Sequence, residues 1–380
     1  NEMSSESELA QQWHHINIRT EAAWDNANER NQVIVAVCDS GAQADHEDLT
    51  GNLLAGWNMV AGVADNSTTT SHGTFVAGLI AAKLNSMGGV GLAPFVKILP
   101  LRISKETGST SMKLITDCIQ LAADRGAKVI NVSFTGIESP AVEAAGDYAS
   151  SKGALLVYAA GNRGLYRSLA SYPDYKNVFA VGASNREDSR WKYWRAEDDW
   201  GGSNYGPFID IMAPGHELYS TTIYSELLPD IKYRVGSGTS YATPVVSGVA
   251  ALVFSVRFSC QCAISLSFWL RQTQTSSPFR TSQPPLTGRK PTLTARSVFS
   301  RMRSKISRAF WVTAMVADGL IRRSASETGA DIEGNLSDFY GAAVRRSAAG
   351  KKAETCETGA FPSDFLRQLQ MAPAHTPRKC

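Results

Sequence analysis

The sequence predicts an α/β fold: a doubly wound, mainly parallel sheet with helices on both faces. Three observations carry it. Short apolar runs rich in Val and Ile recur at strand length, helix-like segments lie between them, and glycines punctuate the joins. The runs "QVIVAVCDSG" (32–41), "KVINVSFTG" (128–136), "ALLVYAAGN" (154–162) and "NVFAVGAS" (177–184) read as parallel strands. The segment "TSMKLITDCIQLAADRG" spaces Leu114, Cys118, Leu121 and Ala122 at helical intervals and stops at Gly126, where a C-terminal glycine belongs. Strand, helix and strand in succession make βαβ units. Ligands of such sheets gather outside the carboxyl ends of the strands, so the residues just after each apolar run are the ones to read chemically.

Composition bounds the reading without deciding it. A chain of 380 residues holds one large domain or two ordinary ones, and 43% hydrophobic residues with 31 Gly suit a globular α/β protein. The net charge of +3 hides an uneven distribution: residues 1–256 sum to −8 and residues 257–380 to +11. Six cysteines, at 38, 118, 260, 262, 356 and 380, form no CxxC pair or compact framework and select no partners. The opening "NEMSSESELA" has neither the basic nor the apolar region of a signal peptide, so targeting is either absent or already removed at this point. The longest apolar zone, 245–270, is broken by Arg257 and Gln261, which argues for a buried helix and against a membrane span.

Four strand-end or helix-start residues each have an ordinary structural reading. Asp39 after "VIVAVC" suits a turn. His72 in "SHGTFVAGLIAA" and Ser240 in "GSGTSYATPVVSGVAALV" begin apolar helical runs, where a Ser is often a cap. Asn162 in "VYAAGNRG" suits another turn. Taken together they specify one chemistry. A serine hydroxyl becomes a nucleophile when a neutral imidazole takes its proton and a carboxylate fixes that imidazole's tautomer. Asp39, His72 and Ser240 supply those groups, and Asn162 with the Ser240 N–H supplies donors for an oxyanion.

The blocks "VAVCDSG", "SHGTFVAGLIAA", "NVSFTG", "AAGNRG" and "GTSYATPVVSGVAALV" resemble, in order, those of the subtilisin-like serine proteases, over about residues 10–256. The resemblance implies a serine endopeptidase with Ser240 as nucleophile, His72 as base and acid, Asp39 as orienting carboxylate and Asn162 as oxyanion donor. It implies an extended polypeptide substrate paired with Ser133, Phe134, Thr135 and Gly136, with a second cleft strand near Gly108 and Ser109. It implies a structural calcium ion held by Asp48, the Asn85 side chain and the carbonyls of Lys83, Met87 and Gly89. A separate propeptide and a secretory location are implied as well; no organic cofactor, nucleic-acid partner or transmembrane span is expected. The rival reading is a catalytically inactive relative that binds peptides in the same cleft.

Departures from the family pattern are local up to residue 256 and general beyond it. Phe75 and Val245 stand where the family often has His, Tyr241 where it often has Met, and Ser237 where Asn is frequent. Cys38 beside Asp39 reads as a small buried hydrophobe. Phe134, with no acidic cluster in view, hints at apolar or aromatic P1 side chains. The domain ending expected after 256 has no clear match. Residues 257–380 read as a basic Ser/Arg-rich extension, with a disordered tail, an anion-binding helix at 296–321 and a misread exon or frame as the alternatives. His14 and His15 read as packed or surface residues, and the sequon at Asn131 falls in a buried strand, leaving Asn66 as the glycosylation candidate.

Overall fold

The computed structural model describes residues 8–24, 33–65, 67–68, 70–192, 201–224 and 230–255. The sequence readings at Asn66 and throughout 257–380, including four of the six cysteines, lie outside those residues.

A seven-stranded parallel sheet forms the centre. Its strands are β1 (Ile34–Asp39), β2 (Trp57–Asn58), β3 (Lys97–Arg102), β4 (Val129–Val132), β5 (Leu155–Ala159), β6 (Val178–Ser184) and β7 (Ile211–Pro214), in the order β2-β3-β1-β4-β5-β6-β7. Every residue of β4, β5 and β6 is buried, because helices cover both faces and leave no solvent side for polar alternation. The chain order reverses at β1, which pairs with β3 on one side and β4 on the other. Asp39 ends β1 and therefore stands at the crevice where doubly wound sheets bind ligands.

Two apolar layers sandwich the sheet. One packs α3 (His72–Ala81) and α6 (Thr239–Ser255) through Phe75, Leu79, Val246 and Ala250. The other packs α4 (Met112–Asp124) and α5 (Pro140–Ser151) through Ile115, Ile119, Val142 and Ala149. Helix α4 turns Ile115, Cys118, Ile119 and Ala122 inward, begins with Ser111 Oγ accepting the Leu114 N–H at 3.3 Å, and is followed by Gly126 at φ +81°. A small antiparallel pair, β8 (Leu218–Thr221) and β9 (Tyr233–Gly236), lies against α3, and the short helices α1 (Trp13–Ile18) and α2 (Thr20–Trp24) complete the core at one end. Among the described residues no helix is long and apolar enough to cross a membrane.

Strand β3 contains Pro100, which pairs with Val37. A proline inside a sheet lacks a ladder donor. The Ile98 N–H points away from β1 to Asn52 O, and the position two residues on faces the same way. Since β2 pairs only with Leu101 and Arg102, Pro100 leaves no bond of the β2 ladder unmade.

Candidate active site

The strand ends and helix starts singled out in the sequence meet at the carboxyl edge of the sheet. Asp39 is fully buried, and its carboxylate holds His72 Nδ1 at 2.8 Å and 3.0 Å while also accepting the Ser40 N–H at 2.7 Å. With Nδ1–H donating to Asp39, the other ring nitrogen is left as the acceptor. Burial of the imidazole disfavours its charge, but the pairing with Asp39 outweighs it and the pKa of His72 is raised, with the Arg234 cation pulling the other way. The close fit of strand and helix depends on Gly73, where a Cβ would lie 2.0 Å from Gly41 O, and on Ser40 Oγ, which accepts the Gly73 N–H at 2.9 Å.

Ser240 sits in the first turn of α6. The capping reading does not hold there. The Thr239 N–H goes to Asn162 Oδ1 at 2.8 Å, those of Tyr241 and Ala242 go to Gly238 O, and the Ser240 N–H has no partner among the described residues. Pro244, one turn later, has no N–H to give Ser240 O, which instead accepts Ser133 Oγ at 2.8 Å. Asn131 and Ser247 continue this buried chain, with Asn131 Nδ2 donating to Ser133 Oγ at 3.0 Å and Ser247 Oγ to Asn131 Oδ1 at 2.9 Å.

Asn162 is oriented by what its oxygen does. Oδ1 accepts from both the N–H and the hydroxyl of Thr239, at 2.8 Å and 2.7 Å, which forces the NH₂ to the opposite side. A Cβ at Gly238 would meet Ser240 Oγ at 3.1 Å and Asn162 Nδ2 at 3.5 Å. Both groups therefore converge on one small space, which the glycine keeps open.

The flanking departures form one packed unit. Phe75 and Tyr241 lie ring to ring at 4.3 Å, Tyr241 lies 5.4 Å from the His72 ring, and Arg234 covers Phe75 while donating to the Tyr241 hydroxyl at 2.9 Å. Of the cleft residues, Phe134 approaches the His72 ring at 6.5 Å, the Thr135 carbonyl accepts the Tyr158 hydroxyl at 3.0 Å, and Gly136 has φ +103°. The Ser133 side chain points inward to Ser240 rather than to a ligand.

Gly108 departs from the expected second cleft strand. It lies in a turn closed by bonds between Lys105 and Ser109 and from Gly108 N to Lys105 O, with φ +78°, a conformation that extended pairing excludes. Extended backbone returns at Ser111, with φ −124° and ψ 156°.

The five expected calcium donors share one region. The Lys83 N–H donates to Asp48 O at 2.9 Å, which joins the start of the 83–90 loop to the buried Asp48. Asn85 Oδ1 turns into the loop and accepts the Met87 N–H at 3.1 Å, and Gly89 packs on Gln12, whose amide makes two 2.9 Å bonds to Val90. Among the described residues no three His, Cys, Asp or Glu form a metal cluster. One carboxylate among amide and backbone oxygens fits a hard cation and not zinc.

With this geometry established, the chain can be set beside known proteins. Residues 30–275 match the model of the subtilase family. This chain belongs to that family. It is 36% identical over 241 residues to thermitase of Thermoactinomyces vulgaris, covering 63% of this chain and 80% of that protein. It is 37% identical over 241 residues to a thermophilic serine proteinase of Bacillus sp. (strain AK1), covering 63% of this chain and 56% of that longer protein. A solved protease of Pseudoalteromonas arctica PAMC 21717 superposes with a TM-score of 0.55 at 30% identity, covering 64% of this chain and 84% of that one.

Sequence reading missed three features of this subtilase. Cys38 is buried, as expected of a small hydrophobe, but it is disulfide-bonded to Cys118 across 80 residues, linking the strand that carries Asp39 to α4. Thr239, fully buried, fixes the Asn162 amide; the GTS triplet held that signal, overshadowed by its serine. Third, a cavity of about 240 Å³ beside Asn162 is lined by Glu138, Arg163 and Arg167 as well as apolar groups. His14 and His15 are packed, both buried in α1.

Proposed function

We propose that this chain is a serine endopeptidase. Ser240 Oγ attacks the scissile carbonyl while His72 Nε2 takes its proton. The oxyanion of the tetrahedral intermediate receives hydrogen bonds from the Ser240 N–H and Asn162 Nδ2. Collapse expels the amine, which leaves with the proton from His72, and water drawn through the same base hydrolyses the acyl-enzyme. Asp39 stays ionised and stabilises the imidazolium. The observation that carries this reading is the pairing of His72 Nδ1 with the buried Asp39 next to an Asn162 amide whose NH₂ faces Ser240.

The substrate is an extended polypeptide laid along Ser133–Gly136. We assign the peptidase domain to residues 1–256 and a basic extension to 257–380; the family match reaches 275, past that boundary. Calcium is assigned to Asp48, Asn85 and the carbonyls of Lys83, Met87 and Gly89, where it would stiffen the 83–90 loop. A secretory location is supported by the Cys38–Cys118 disulfide, a bond that persists in oxidising compartments.

The test is labelling with a fluorophosphonate, which reports an activated serine. The full chain should label and cleave a denatured protein, and Ser240→Ala should do neither. A folded wild-type chain that takes no label would sink the enzyme reading and leave the peptide-binding relative.

A further inference from the structure

The cavity beside Asn162 is where the side chain preceding the scissile bond would lie, and its charges are this chain's own. We propose that it selects a Lys or Arg side chain at P1, and that Glu138 is the residue that does so. This rests on the peptidase reading above and names its substrate class.

Glu138 follows the Ser133–Gly136 segment by two residues and lines the cavity together with Gly136, Asn162, Arg167 and Tyr172. Glu138 is half-buried, with its Oε2 turned away from solvent and its carboxylate within hydrogen-bonding reach of Tyr172, and among the described residues no Lys or Arg forms an ion pair with it within 4.0 Å. Its charge is felt by Tyr172, in the cavity lining, and by Tyr158, whose hydroxyl donates to the carbonyl of the lining residue Thr135. The buried Tyr158 hydroxyl is pushed up first by burial and then by Glu138, and Tyr172 is raised by burial and Glu138 against the opposing pull of Arg167 and Arg163. A carboxylate with no cation in ion-pairing reach can take an ammonium or guanidinium brought by a substrate in a charge-assisted hydrogen bond.

The two arginines are the counter-argument, and their placement decides it. Arg163 is exposed beside Asn162 at the mouth, where water screens it. Arg167 lies flat over Tyr172, with its guanidinium carbon 4.9 Å from the ring centroid, so its charge already rests on an aromatic face. A P1 lysine or arginine would pass the exposed Arg163 and end at the half-buried Glu138, laying its aliphatic stem along Ala159, Ala160 and Gly161.

The experiment compares kcat/KM of the full chain on peptide amides identical except for Lys, Arg, Leu, Phe or Glu at P1, for wild type and Glu138→Gln, with fluorophosphonate labelling as the measure of intact sites. We expect the wild type to favour Lys and Arg over Leu at least tenfold. Glu138→Gln should remove that preference while labelling persists, and Arg163→Ala should strengthen it. A wild-type preference for Leu or Phe that Glu138→Gln leaves unchanged overturns the proposal, as does a preference for Glu, which would give the pocket to the arginines. Labelling without cleavage of the Lys and Arg peptides also overturns it while the activated serine stands. Failure to label at all overturns the peptidase reading, and this proposal with it.

Discussion

Asp39 and Asp48 are nine residues apart in the chain, both fully buried, and opposite in what surrounds them. Asp39 is answered by protein groups, the His72 ring and the Ser40 N–H. Asp48 anchors the 83–90 loop through its carbonyl, which accepts the Lys83 N–H, and its carboxylate lies near the Tyr233 hydroxyl, whose ionisation is made harder first by burial and then by the Asp48 charge. A buried carboxylate can serve as half of a fixed ion pair or as a ligand for a hard cation, and the neighbours decide which. If the contrast is right, damage at Asp39 removes chemistry and leaves the fold, whereas damage at Asp48 removes stability and leaves the chemistry.

The largest effect belongs to the Asp39 side. Ser240→Ala should lower kcat by roughly 10⁶-fold, and Asp39→Asn by roughly 10⁴-fold, magnitudes taken from the subtilisin series, with melting temperatures within a few degrees of wild type. A comparable fall in melting temperature and activity for Asp39→Asn would erase the distinction between the two carboxylates.

Next in size is the disulfide, which braces β1 against α4. By the chain-entropy relation, closing a loop of 80 residues is worth about 4 to 5 kcal/mol, so the double change Cys38→Ala with Cys118→Ala should lose about that much in urea unfolding. A loss below about 1 kcal/mol would mean that α4 is held to β1 by packing alone.

The oxyanion side should respond in steps. Asn162→Ala should cost about 10² to 10³-fold in kcat, as the subtilisin oxyanion donor does, with KM little changed. Thr239→Val keeps the shape but leaves the Asn162 oxygen without its hydroxyl partner, and should cost about tenfold in kcat, between wild type and Asn162→Ala. A Thr239→Val effect confined to stability would reduce Thr239 to a core residue.

Much of the site was legible because strand ends are local features. Asp39 and Asn162 follow apolar runs directly, and the α/β pattern alone puts such positions at one edge of the sheet. What could not be read was tertiary or hidden by a local rule. Strand β3 carries Pro100, a residue that runs against a strand reading, since only the shortness of β2 makes a proline tolerable there. Cys38 and Cys118 come together only when α4 folds back over β1. Glu138 gave no local signal, because the cavity it lines is assembled partly from Asn162, Arg167 and Tyr172, on a later part of the chain. Gly108 fell in a turn because a positive-φ glycine ends the extended backbone that a cleft strand needs.

On the Asp48 side, chelation should lower the melting temperature of the full chain. A site held at about 100 times its Kd contributes about 2.7 kcal/mol, which for a domain of this size is roughly 5 to 10 °C. Asp48→Asn should melt at the chelated temperature and no longer respond to calcium, while its labelling by fluorophosphonate at 25 °C stays intact. A chelator that leaves wild type unmoved would remove calcium from this protein and require another account of how the Asp48 charge is held.

The smallest effect tests the balance at His72. Its pKa is raised above 6.5, so the neutral base, and with it kcat/KM, should rise with pH through a midpoint above that value. The same shift stabilises the protonated folded state. That contribution is fully present below pH 6.5 and is lost as pH climbs through the folded pKa, so activity grows over the interval in which this stabilising increment disappears. Arg234 opposes protonation of His72, and Arg234→Gln should therefore move the acid limb to higher pH, without the large fall in kcat at the alkaline plateau expected of Asp39→Asn. A limb that moves to lower pH would show that Arg234 acts on His72 through its packing with Phe75 and Tyr241 rather than through its charge.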